Sequence, residues 1–136
     1  YLDAIGPREV DTIFEYLKTA NSPVAVAQFR VLGGAAARVS NDATAYAHRH
    51  RKIMANVAAF YRDPSEKAAR DQWATSFTAA LTQGVAVVYS NCLGDEGAAK
   101  VREAYPGSTW DRLAKIKAQY DPTNLFHLNQ NIPPQG

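Results

Sequence analysis

The sequence is short of cysteine, of net charge and of long apolar runs, and each shortage removes a class of function. Cys92 is the single cysteine in 136 residues. It has no partner for an internal disulfide and no second thiol for a C-x-x-C metal or redox motif, so it reads as a small half-buried residue. Lys plus Arg number 15 and Asp plus Glu 13, a surplus of +2. That is too small to argue for nucleic acid. The basic cluster His48-Arg49-His50-Arg51-Lys52 reads as a solvated strand start or a salt-bridge donor. No apolar stretch approaches membrane-spanning length and no signal peptide is visible. The chain therefore reads as soluble, with the cytoplasm favoured, and its first residue, Tyr1, reads as that of a processed product or fragment. There is no G-x-S-x-G, no G-x-G-x-x-G and no phosphate loop. His48, His50 and His127 have no Cys or carboxylate at ligand spacing, so no metal is expected.

What is there is ordinary globular material, 46% hydrophobic. Pro7 opens a helix over 7–20, with Val10, Ile13, Phe14 and Leu17 at helical spacing. Residues 24–32 alternate: Val24, Val26, Gln28 and Arg30 share one strand face, and Ala25, Ala27, Phe29 and Val31 the other. After Gly33-Gly34, residues 35–40 read as a short returning strand and 41–49 as a loop. A strand is expected within 51–61. Asp63-Pro64-Ser65-Glu66 starts a helix whose buried stripe is Trp73, Phe77 and Leu81, stopped by Gly84. Residues 85–91 read as the clearest strand, with Tyr89 and Asn91 on one face. Helices follow over about 97–105 and from a Ser108 cap to Asp121-Pro122. In the last one Trp110, Leu113, Ile116 and Tyr120 point inward. The tail from Asn124 to Ile132 reads as extended.

This order predicts an α+β fold, an antiparallel sheet with helices packed on one face. The other face carries Gln28, Arg30, Tyr89 and Asn91, and such a polar face meets solvent, a ligand or another domain. Residues 1–84 and 85–136 read as two segments of one compact unit.

Several motifs then occur in order: Tyr89-Ser90-Asn91-Cys92-Leu93-Gly94-Asp95-Glu96-Gly97, Val101 to Tyr105, Trp110 to Lys117, and Tyr120-Asp121-Pro122 through Asn129-Gln130-Asn131-Ile132. Upstream stand Phe29 to Gly34 and Tyr46-Ala47-His48-Arg49. This series resembles the C-terminal part of the berberine-bridge-like FAD-linked oxidases, and the resemblance covers nearly the whole chain. It implies FAD in the parent enzyme, bound mainly by an upstream FAD-binding domain that is the partner of this part. It also implies a small-molecule substrate, an alcohol, sugar or amine, that loses a hydride to the flavin, and a sheet whose open face looks toward flavin and substrate. Carried over by position, Tyr89 matches the tyrosine that takes a hydroxyl proton. Gln28 stands where some relatives have a catalytic Glu; a Gln can only orient or hydrogen-bond. Arg30 and Tyr89 are the substrate-binding candidates, and Asn91, Asn129 and Asn131 the cofactor-binding ones. A packed, hydrogen-bonded role for Tyr89 stays open beside this. So does a stand-alone, non-catalytic ligand-binding or dimerisation module on the same fold, with a homodimer as one form.

Overall fold

The computed structural model describes residues 1–84, 87–94 and 97–135. They form two compact units, Tyr1–Leu32 with Arg51–Val85, and Gly33–His50 with Ala86–Gly136. The class is α+β, with four α-helices and one two-stranded antiparallel sheet among the described residues.

The first unit holds helix α1 (Pro7–Thr19), strands β1 (Ala25–Val31) and β2 (Ile53–Ala59), and helix α2 (Lys67–Leu81). β1 and β2 pair with Gln28 opposite Asn56 and Phe29 opposite Ala55. Residues directly opposite share a face. One face therefore carries Ala27, Phe29, Ile53, Ala55 and Val57, and these pack on Leu2, Phe77 and Leu81. Ile13, Tyr16 and Leu17 of α1 and Trp73 of α2 close the same core, so both helices lie on one side of the sheet. Phe77 is fully buried, stacked on Tyr16 with centroids 4.7 Å apart and edge-on to Trp73. Trp73 Nε1–H donates to the Tyr16 carbonyl at 3.1 Å, which satisfies the indole. Leu2 joins this core because its main chain pairs with Ile53, at 2.8 and 3.0 Å.

Helix ends follow from local chemistry. Glu9 accepts the Gly6 N–H at 3.0 Å, which occupies a donor at the start of α1. Gln83 donates to the other Glu9 oxygen at 3.0 Å and accepts from Asp3 N–H at 2.9 Å, tying the chain after α2 to the start of α1. Asp63 accepts from Ser65 N–H, and Glu66 reaches back to Arg62 N–H rather than to Asp63.

The second unit holds helices α3 (Ala98–Ala104) and α4 (Ser108–Tyr120). Four expectations are corrected here. Residues 35–40 are not a strand: Ala36–Arg38 is a 3-10 turn, as befits an alanine run that favours helical over extended backbone. The expected strand at 85–91 is absent over 87–91; Val85 and Ala86 lie outside the described residues. Gly107, not Ser108, takes the cap position of α4. Its φ of 59° suits a residue without a Cβ. The inward stripe on α4 is also different. Ala114 is its buried residue, while Ile116 is exposed and Tyr120 is 77% exposed.

Candidate functional site

On the face of the sheet away from this core, Gln28 and Arg30 are exposed neighbours two residues apart on β1, with Asn56 beside them on β2 and Met54, opposite Arg30, buried. The alternation of β1 puts them there: their odd-numbered neighbours Ala27 and Phe29 are drawn into the core. An amide and a guanidinium side by side can hydrogen-bond a polar ligand, but neither can act as a base at neutral pH.

In the second unit, Tyr89 and Asn91 are together, though not on a strand. Residues 87–89 are irregular and Ser90–Cys92 forms a 3-10 turn, closed by the Cys92 N–H on the Tyr89 carbonyl at 2.8 Å. The turn brings Asn91 back so that its Nδ2 donates to Tyr89 Oη at 2.8 Å. The phenol accepts there, which leaves its own O–H to give elsewhere. Cys92 is exposed rather than half-buried.

Residues 41–50 contribute more than a loop reading predicts. Tyr46 packs edge-on to Tyr89, with centroids 5.7 Å apart and planes at 87°. Arg49 lies with Cζ 5.5 Å from the Tyr46 ring centroid and donates to the Ala36 carbonyl and, at 2.7 Å, to Thr44 Oγ1. His48 is buried, not solvated as the basic cluster suggested, and its ring meets Tyr46 at 5.8 Å. Arg112 of α4 donates to the Asp42 carbonyl at 3.1 Å and holds this segment on the helix. The Tyr-x-His-Arg motif was the available signal for these residues; their contact with Tyr89 is not visible in any local pattern.

The tail is organised by one carboxylate. Asp121 accepts from Leu125 N–H at 2.7 Å and Phe126 N–H at 3.0 Å, and pairs with Lys117. The ammonium and the two amides hold its carboxyl below the ordinary 3.8. A carboxyl lowered on folding contributes stability above its unfolded value and loses it as pH falls through the folded one. Backbone amide shifts of Leu125 and Phe126 should therefore report release of the tail only below pH 3.8. In Asp121→Asn that acid transition should be missing, and one of the two amides should already lack its acceptor at neutral pH, because the asparagine side chain keeps a single oxygen. Beyond this anchor, Asn124 and Asn129 sit at φ 55° and 57°, left-handed values that asparagine tolerates. Asn131 N–H donates to the Asn129 carbonyl, and Gln130 Nε2 donates to the Leu93 carbonyl at 2.9 Å. The tail asparagines are thus tethered to the segment that follows Tyr89 and Asn91.

Site residues predicted from the sequence therefore fall into three local groups: Gln28 with Arg30, Tyr89 with Asn91, and Asn129 with Asn131. Among the described residues no group of three His, Cys, Asp or Glu side chains can hold a metal ion. No helix there is long and apolar enough to cross a membrane.

Comparison with known proteins agrees with the fold and motifs. The family model described as berberine and berberine-like matches residues 61–133. The chain belongs to this family. It is 31% identical over 130 residues to an uncharacterized FAD-linked oxidoreductase of Bacillus subtilis, YgaK, covering 96% of this chain and 29% of that protein. It is 29% identical to the FAD-linked oxidoreductase sorD of Penicillium rubens, over 91% of this chain and 28% of that one. The structure of a berberine bridge enzyme variant superposes with a TM-score of 0.68 at 21% identity, over 96% of this chain and 32% of that chain. The chain thus spans under a third of the length of the relatives it matches.

FAD is the cofactor of the FAD-linked relatives. One observation in this chain fits such a group. The side-chain oxygen of Asn131 is buried and has no hydrogen-bond partner among the described residues. A buried acceptor of this kind calls for a donor from outside. The edge of a flavin ring, which presents both donors and acceptors, would meet that need.

Proposed function

We propose that this chain is the substrate-side part of a FAD-dependent oxidoreductase that oxidises the carbon bearing a hydroxyl or amine in an alcohol, sugar or amine. The observation that carries this is the Tyr89–Asn91 pair, in which the Asn91 amide donates to the phenol oxygen at 2.8 Å. A bound flavin would supply the two-electron acceptor for a hydride from the substrate carbon.

The chain's residues handle the rest. Tyr89 Oη faces the substrate hydroxyl and receives its proton as the carbon–oxygen double bond forms. This needs the tyrosine deprotonated at the moment of transfer. Asn91 fixes the oxygen by its N–H. Asn129 and Asn131 bind the cofactor edge, while Gln28 and Arg30, in the first unit, offer hydrogen bonds to a polar ligand on their own sheet face. An upstream FAD-binding domain is the partner that carries most of the cofactor.

The test is anaerobic stopped-flow mixing of the flavin-loaded full-length protein with primary alcohols, aldoses and amines. At least one class should bleach the flavin with saturation. If no member of the three classes bleaches it, the oxidoreductase reading of this site fails, and a non-catalytic ligand-binding role takes its place.

A further inference from the structure

Residues 87–89 belong to no strand, so no ladder fixes the direction of the Tyr89 side chain. Its carbonyl is held by the turn at Ser90–Cys92, and its oxygen by Asn91. Among the described residues its ring meets one other ring, that of Tyr46. Tyr46 is itself tied to its surroundings. Its N–H donates to Thr44 Oγ1 at 3.3 Å, the Arg49 guanidinium lies over its ring, and His48 closes on it edge-on. Arg49 is anchored in turn: its side chain binds Ala36 and Thr44, and its N–H donates to Asn41 Oδ1 at 3.0 Å. A tyrosine on irregular backbone thus leans on an aromatic wall built by a different segment of the chain.

The geometry points to Tyr46, backed by Arg49, as a positioning residue that aims Tyr89. This rests on the reading of Tyr89 as the substrate-facing group. The working part is the ring of Tyr46, since perpendicular aromatic planes attract through edge and face charges of opposite sign. Its hydroxyl is dispensable for this purpose. A cation over the ring strengthens the wall further. A small loss of aim is costly in a proton transfer, because displacement of about 1 Å can lower a rate by about 100-fold.

The experiment uses the flavin-loaded full-length protein with 3-fluorotyrosine at position 89. Flavin reduction by a substrate found active is followed alongside the 19F signal of that ring. Tyr46→Ala and the volume-filling Tyr46→Leu should slow reduction by about 10- to 100-fold. Both should shift the 19F resonance toward that of free fluorotyrosine. Tyr46→Phe should stay within about two-fold of the parent with the resonance in place. Tyr46→Leu retains bulk at this position, so it keeps the test usable if Tyr46→Ala misfolds. Unchanged rate and resonance in Tyr46→Leu overturn the proposal. So does an equal loss in Tyr46→Phe, which would assign the effect to the hydroxyl. The two readings separate cleanly. If Tyr89→Phe leaves reduction untouched while Tyr46→Leu moves the resonance, Tyr46 aims a tyrosine that does no chemistry. If Tyr89→Phe is slow and Tyr46→Leu changes nothing, Tyr89 acts without this wall.

Discussion

On the proposed function, replacing Tyr89 with Phe in the flavin-loaded full-length protein should lower the rate of flavin reduction by about 10²- to 10⁴-fold, the usual contribution of a positioned proton-transfer group. The substitution is a clean probe because of what it leaves alone. The ring stays, and with it the edge-on contact to Tyr46. Among the described residues the hydrogen bond lost is the one from Asn91, and Asn91 is exposed, so water replaces the phenol oxygen. Stability should therefore change by less than about 1 kcal/mol. Stopped-flow reduction measures the rate and urea unfolding the stability. Equal reduction rates in parent and variant would remove Tyr89 from the proton transfer. Asn91→Ala should have a smaller effect, since it leaves the oxygen in place but loosens its aim.

The second large effect concerns stability. Phe77→Ala should cost about 3–5 kcal/mol, the range for truncating a fully buried phenylalanine. Phe77 is the one aromatic residue with no exposed surface, and it touches both kinds of neighbour in its core. Its ring is nearly parallel to Tyr16, at 3°, and inclined at 65° to Trp73, so truncation leaves a gap between α1 and α2 that neither ring can fill by a simple rotation. Urea unfolding followed by tryptophan fluorescence measures the loss as a lower midpoint. The matched control is Tyr120→Ala. Tyr120 is exposed, and its truncation should stay within about 0.5 kcal/mol of the parent. A control that proved as costly as Phe77→Ala would contradict the burial pattern of α4.

These two residues also show what was legible in the sequence. Phe77 was, because Trp73, Phe77 and Leu81 repeat every helical turn and the helix signals around them agree. β1 was legible for the same kind of reason: the alternation of Ala27, Gln28, Phe29 and Arg30 can be satisfied only by a two-sided strand. The segment leading to Tyr89 was not. Val87, Val88 and Tyr89 have strand-like side chains, but β propensity acts through a partner strand, and β1 and β2 form the only ladder among the described residues. Tyr120 misled because helical spacing marks a stripe without saying that anything covers it. The motif resemblance named Tyr89 and Asn91 without requiring the strand, and the turn at Ser90–Cys92 brings their side chains together all the same. Tyr46 and His48 lay in a segment with no periodicity, and burial by distant parts of the chain leaves no local trace.

The long connection between β1 and β2 has a consequence for how such a protein can change. The two strands pair in register although some twenty residues, 32–52, separate them, and no tight turn sets their alignment. The register is held instead by side chains that must face the core. Closing a loop grows costlier only with the logarithm of its length, about 0.6 kcal/mol for each doubling. The segment that carries Tyr46, His48 and Arg49 can therefore lengthen, shorten or be exchanged at little expense to the ladder that brackets it. Length and sequence can change in that interval by insertion and deletion while the two strands keep their alignment.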